Sequence, residues 1–343
     1  MSAVTQEAQN QPCRRGEISS SVVNSQPVTA LFRSRRRKSA VTCLNGGLIV
    51  AKLNKNLMTL ARQAGGSFKT VSDRMKIADR FAERLLKLNI QVRDVKNIKT
   101  GHVELYIRSR LTENISKRTL QNEMAAIRAL LRVAGKTFMA DPSHEKLSNE
   151  ALNISGTSRD GTKVAITDDY YRQVLCSAEE KDKGVACAIR LSRLLGLRTE
   201  ETVQSVKSLR TWQKSLDNNE GKVRIVFGTK GGRARDTTII KREETIQAIR
   251  QAIQYAEENN GRLMNKSSLH LAIERYRNVA RDAGLVGEFA PHSLRYAYTQ
   301  DVTAFHLNEG FSLKEAQALA SMDLGHGDGR GHYVARVYNK TKN

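Results

Sequence analysis

The chain has 343 residues and a formal net charge of +22, from 57 basic and 35 acidic side chains. A surplus of that size points to a polyanionic partner, nucleic acid first. No apolar run approaches the ~20 residues of a membrane-spanning helix, no apolar signal core follows the polar start, and Cys13, Cys43, Cys176 and Cys187 show no paired spacing, which argues against membrane insertion, zinc ribbons, a disulfide framework and an oxidising compartment.

Taken in order, residues 1–45 are rich in Ser, Gln, Asn and Arg, hold no sustained period and read as an unstructured basic arm. Arg35, Arg36, Arg37 and Lys38 form its densest run, which serves either as a nucleic-acid contact or as a solvated tail. Residues 46–140 read as a helical bundle. Leu53, Leu57, Leu60 and Ala61 recur at helical spacing before Gly65-Gly66, and Val71, Met75, Ala78, Phe81, Ala82 and Leu85 form a second stripe. A third helix is expected around Val103, Tyr106 and Ile107, and a fourth over 119–134. Lys69, Arg74, Lys76, Arg80, Arg84, Lys117, Arg118, Arg128 and Arg132 are placed on the bundle's outer faces, most as solvated charges and some toward phosphates.

Residues 141–164 carry turn chemistry, with Asp141-Pro142, Gly156 and Asp160-Gly161, and read as a linker. A second domain is expected over 165–343. It opens with a helix after Thr167, then an apolar helix over 184–195 that stops at Gly196. Strands are predicted at 223–227 and 236–240, joined by a glycine-rich basic tip holding Lys230 and Arg233. Helices follow near 243–258, 267–283, 292–306 and 312–322, the last with a Ser312–Glu315 capping box. The fold class predicted is mainly α: an N-terminal helical bundle, then an α+β domain that is mostly helical with a small antiparallel sheet.

Individually the chemistry-bearing residues are ambiguous. His292 and Arg295 stand three apart, so a helix puts them on one face, as surface chance often does. Arg198 with Glu201 is either a phosphate cation with its support or a structural ion pair, and Lys230 is either a mobile amine or an ordinary turn lysine. The segment 325–331 is glycine-dense but matches neither GxGxxG nor GxxxxGK[ST], so no nucleotide cofactor is expected. The spacing of His292, His326 and His332 matches no metal motif. Tyr333 and Tyr338 lie five apart, on different helical faces, and spacing alone does not choose between them.

The ordered set does more. Gly196-Leu197-Arg198 with Glu201, Lys230 in a hairpin, His292-x-x-Arg295, Leu324-Gly325-His326 and a terminal tyrosine resemble the tyrosine recombinase, or phage-type integrase, family. The resemblance covers the second domain motif by motif and, more loosely, identifies the bundle with the family's core-binding domain. The family's usual spacing would put the tyrosine at Ala335; here Tyr338 falls twelve residues after His326 and Tyr333 seven after it. A glycine-rich insertion before the last helix favours Tyr338, with Tyr333 the alternative nucleophile.

The resemblance implies a site-specific recombinase of a mobile element that cuts and rejoins double-stranded DNA through a 3′-phosphotyrosine, without metal, ATP or other cofactor. Arg198 and Arg295 would hold the phosphate, and His292 and His326 would bond it and move the phenol proton. Lys230 would protonate the leaving oxygen, and Glu201 would orient its neighbours. Arg35, Arg36, Arg37, Lys38, Lys117, Arg118 and Arg233 are the expected DNA contacts. A tetramer on two DNA sites, accessory DNA-bending or directionality factors, and a cytoplasmic, nucleoid-associated location complete the expectation. The competing readings are a type IB topoisomerase-like enzyme, a non-catalytic DNA-binding protein and a metal-dependent nuclease.

Overall fold

The structure, a computed structural model, describes residues 44–158 and 160–339. The basic run at 35–38 therefore lies outside the described residues. Four helices build the first unit: α1 (Leu44–Gln63), α2 (Phe68–Lys87), α3 (Thr100–Leu111) and α4 (Lys117–Val133). Ser67 and Ser116 start α2 and α4 by accepting from the backbone N–H three residues on, satisfying a donor the helix itself cannot pair. The predicted stripes point inward: Leu53, Leu57, Phe81, Leu85, Tyr106, Leu120 and Met124 share one buried core.

Of the cations expected on the bundle's outside, Arg128 is buried, and Arg80 stays exposed while its guanidinium reaches a buried carboxylate. Glu123 is buried and accepts from Arg80 at 2.6 Å, Arg110 Nη2 at 2.9 Å and the Tyr106 hydroxyl at 2.8 Å. Arg128 is buried and donates to the Leu147 carbonyl at 2.6 Å. That bond belongs to a wider difference. The first half of the expected linker packs on the bundle, with Leu147, Leu152 and Ile154 completing its core. Turn residues there form tight hydrogen-bonded turns, such as His144 N–H to the Asp141 carbonyl, that fold the chain back.

The second unit contains α5 (Asp168–Lys181), α6 (Lys183–Leu195), α7 (Thr199–Gln204), α8 (Leu209–Asp217), β1 (Lys222–Ile225), β2 (Arg235–Thr238), α9 (Arg242–Glu258), α10 (Leu269–Asp282), α11 (His292–Asn308), α12 (Leu313–Asp323) and α13 (Gly331–Val337). The architecture is mainly α with one two-stranded antiparallel sheet, in which Val223 faces Thr237 and Ile225 faces Arg235. The strands are shorter than predicted. Gly228 has a left-handed φ of 75° and lies so close to α7 that a Cβ would stand 2.5 Å from the Glu200 carbonyl, so the chain leaves the ladder early. α8, not foreseen, is held by Trp212, which is buried and donates from Nε1 to the Arg224 carbonyl at 2.8 Å.

α11 organises this unit. Its residues from Ser293 to Thr299 are all buried, so its first turns are surrounded by protein rather than amphipathic. One side joins the larger core with Leu294 and Ala297. The other joins a smaller core of Tyr296, Tyr298, Val302, Leu324, Val334, Val337 and Tyr338. Among the described residues no helix is long and apolar enough to cross a membrane.

Candidate active site

Two chain turns meet beside the start of α11. α6 stops at Gly196, whose φ of 57° reverses the chain and whose missing side chain leaves room for the Tyr298 ring. Arg198 follows as the N-cap of α7. Its backbone N–H donates to Glu201 Oε2 at 2.9 Å and its Nη1 to Oε1 at 2.6 Å. α12 ends at Asp323, and the turn Leu324-Gly325-His326 comes next, with the His326 N–H bonded to the Ser321 carbonyl at 2.9 Å.

Arginines tie these turns together. Arg295, fully buried on α11, donates to the carbonyls of Gly196 and Leu324. Arg198 Nη2 also donates to Leu324, at 3.0 Å. Arg235 opens β2, is buried, and reaches Glu201 Oε2 at 2.9 Å, the Gly196 carbonyl at 3.2 Å and the Asp323 carbonyl. Sequence reasoning missed Arg235. The available signal was its parity with Thr237, which placed it on the inward face of the strand.

The electrostatics follow. Three guanidinium groups share the Glu201 carboxylate, with Arg295 Nη1 3.9 Å from it, so the cluster keeps a surplus of positive charge. Burial alone would raise the Glu201 pKa, but Arg235 and Arg295 outweigh it and bring it down to about 2. Burial, reinforced by Arg235, lowers the Arg295 pKa to about 10, which leaves it charged at neutral pH. The Nε atoms of Arg235 and Arg295 are buried without a partner. A site with excess buried cations is built for an anion.

The Tyr338 hydroxyl stands at the edge of this cluster. It caps α13, is almost wholly buried, and lies 3.1 Å from His326 Nε2 and 3.4 Å from His292 Nε2. His292 is exposed and His326 half-buried, yet desolvation where they face the cluster and the charges of Arg295 and Arg198 lower His292 to about 4 and His326 to about 3, which favours neutral rings at physiological pH. A phenol donates one hydrogen bond, so one imidazole accepts from it while the other donates to its oxygen. The group can therefore bind an anion and take a proton from a phenol.

Arg198, Glu201, His292, Arg295, His326 and Tyr338 are thus brought together. Tyr333 is not on a remote face. Because Tyr338 lies just past the helix, both rings reach His326, with centroids 5.0 Å away for Tyr333 and 5.7 Å for Tyr338. Tyr333 is partly exposed, and burial followed by the neighbouring Tyr338 raises its pKa. Lys230 lies on the exposed hairpin tip, outside the cluster; its ammonium makes no ion pair among the described residues. It is two residues past Gly228, so the tip starts against α7 and next to Arg198. Arg233 is exposed on the same tip, and Lys117 and Arg118 are exposed on the first turn of α4. The charge of Arg118 reaches Tyr333, which sets the start of α4 near this site. Among the described residues no group of three or more His, Cys, Asp and Glu side chains is arranged to hold a metal ion.

Comparison with known proteins adds a family. The model described as "Phage integrase, N-terminal" matches residues 50–140, and the one described as "Integrase" matches residues 153–301. The second match ends before His326 and Tyr338. A search of curated proteins finds no match. Among solved structures, a lambda integrase tetramer bound to a Holliday junction is similar over 85% of this chain and 79% of its own, at 15% identity and a TM-score of 0.53. The Tn1549 transposon integrase in complex with transposon right end DNA is similar over 85% and 96%, at 13% identity and 0.52. The XerH site-specific recombinase bound to a palindromic difH substrate, a post-cleavage complex, covers 87% of each chain at 18% identity and 0.51. The structural likenesses carry the fold. The two family models, which together span well over half of the sequence, carry the kinship: this chain belongs to the tyrosine recombinases, the phage-type integrases.

Proposed function

We propose that this chain is a site-specific recombinase of a mobile element that breaks and rejoins duplex DNA through a covalent bond between Tyr338 and a 3′-phosphate. The observation that carries the reading is the Tyr338 hydroxyl, set between two uncharged imidazoles beside three arginines that share one carboxylate.

A phenol has a pKa near ~10 and is a weak nucleophile at neutral pH without help. Arg198 and Arg295 bind the non-bridging oxygens of the scissile phosphate and stabilise the five-coordinate transition state, in which their charge counts most. The Tyr338 oxygen attacks phosphorus as its proton passes to His326, 3.1 Å away. The O–P bond to tyrosine forms and the bond from phosphorus to the 5′-oxygen breaks. Lys230, carried in by the hairpin when DNA fills the groove, protonates the departing oxygen. One ester replaces another, so a 5′-hydroxyl from a second strand can run the step backwards and reseal the DNA. His292 bonds a phosphate oxygen and steadies the phenol, and Glu201 orients Arg198 and Arg235.

Duplex DNA as the partner is supported by the net charge of +22 and by exposed Lys117, Arg118 and Arg233 around the site. Assembly as a tetramer on two DNA sites is supported by the likeness to the lambda integrase tetramer on a Holliday junction. Accessory DNA-bending or directionality factors and a nucleoid-associated location belong to the same reading. The test pairs a two-site strand-exchange assay with plasmid relaxation, on target sequence taken from the ends of the element that carries the gene. Exchange through a protein-linked 3′-end is expected. Relaxation without exchange would make the enzyme topoisomerase-like, and binding without a covalent adduct would remove the catalytic reading.

A further inference from the structure

We infer that residues 160–163, between the two cores, form a positioning element of the active site that fixes where the Tyr338 hydroxyl stands. The inference rests on Tyr338 as the nucleophile. Three contacts carry it. Asp160 Oδ1 accepts from Arg336 Nε at 2.7 Å. Gly161 lies so close to the end of α13 that a Cβ there would overlap the Val337 carbonyl and stand 2.5 Å from the Tyr296 hydroxyl. Lys163 follows, and its ammonium donates to the Gly287 carbonyl at 2.6 Å, just ahead of α11.

The first two contacts fall on the two residues before Tyr338 and on the aromatic ring that packs against it, since the Tyr296 and Tyr338 centroids are 4.6 Å apart. Gly161 is not among the glycines with a left-handed φ, so its backbone has no need of glycine. What requires glycine is space against Val337. Upstream the chain is fastened to the bundle: Gln121 on α4 donates to the Ile154 carbonyl at 2.7 Å and accepts from the Thr157 hydroxyl at 2.9 Å. Residue 161 acts through Tyr338 and touches no reacting atom.

The test measures single-turnover cleavage of a nicked duplex together with duplex affinity and the thermal midpoint. Gly161→Ala is expected to slow adduct formation about ten- to a hundredfold, the penalty of a misplaced nucleophile, with affinity and midpoint close to wild type. Asp160→Arg and Arg336→Asp are each expected to slow cleavage about two- to fivefold, the scale of an exposed ion pair, and the double exchange is expected to restore the rate. A Gly161→Ala protein that cleaves at the wild-type rate overturns the inference. If Gly161→Ala lowers the midpoint, the charge exchange decides: a double variant no faster than the singles overturns it. A wild-type chain that forms no adduct through Tyr338 overturns the reading of the site as well, which separates the two failures.

Discussion

Glu201 is the residue on which the arginine cluster depends, and Arg235 is its most deeply committed partner. Removing one member of a buried ion pair strands the other, at a cost of about 3 kcal/mol or more. Arg235→Met is therefore expected to lower the stability measured by denaturant unfolding by about that amount, and more than Arg198→Met, whose side chain is partly exposed. The histidines make a second expectation. Their folded pKa values, about 4 for His292 and about 3 for His326, lie below the unfolded value of 6.5, so the unfolded chain takes up protons first. Their contribution to stability is complete above pH 6.5 and is lost as pH falls toward 4 and then 3. Glu201 adds a loss between 4.5 and about 2. A thermal midpoint followed against pH should fall along this limb, and His326→Gln should flatten its upper part; an unchanged limb would contradict the lowered pKa of that ring. At this scale the polar residues were legible as types and order, because Arg198, Glu201, His292, Arg295 and His326 sit in recognisable local patterns. Their depth was not. Arg295, Arg235 and Arg128 look like surface cations in a +22 chain, and only the carbonyls and carboxylates brought by distant segments make their burial tolerable.

The hairpin is the element on which the proposed proton delivery turns. Its base is fixed by Gly228 against α7 and by the Arg235 bonds, while its tip carries Lys230 into solvent. If Lys230 protonates the departing oxygen, Lys230→Ala should slow cleavage of ordinary DNA about a hundredfold, the usual scale of general acid catalysis. A substrate with sulfur at the bridging 5′ position needs no such proton and should restore the rate. Equal slowing on both substrates would assign Lys230 to binding. The helices of the bundle and of 243–322 were readable from their stripes and caps, such as the Ser312–Glu315 box. Three features were not readable from the sequence. β1 ends at Ile225, two residues before its predicted end, where the chain turns into the tertiary contact at Gly228, and β2 stops at Thr238, opposite the first residue of β1. α8 is anchored by Trp212 on a strand carbonyl rather than by its own pattern. The chain at 141–154 looks like linker, yet Leu147, Leu152 and Ile154 complete a core begun far upstream.

Across the whole molecule, two cores are joined by a segment that touches both α4 and the end of α13. The first turn of α4 lies near Tyr333, so Lys117 and Arg118 would meet DNA close to the scissile phosphate. Each phosphate contact releases counterions, so the affinity of wild type for its duplex should fall linearly with the logarithm of salt concentration. Replacing Lys117 and Arg118 with alanine should make that slope shallower by about 2. An unchanged slope would move the DNA path away from α4. Net charge made a polyanionic partner legible at once, whereas the path across the surface depends on how the two cores meet.

The central claim is that one phenol, Tyr338, becomes bonded to DNA. The direct measurement incubates wild type, Tyr338→Phe and Tyr333→Phe with a nicked target duplex, resolves covalent adducts on denaturing gels and maps the modified peptide. Adducts are expected for wild type and Tyr333→Phe, with the nucleotide on Tyr338, and none for Tyr338→Phe. An adduct that survives Tyr338→Phe and is lost in Tyr333→Phe would contradict it.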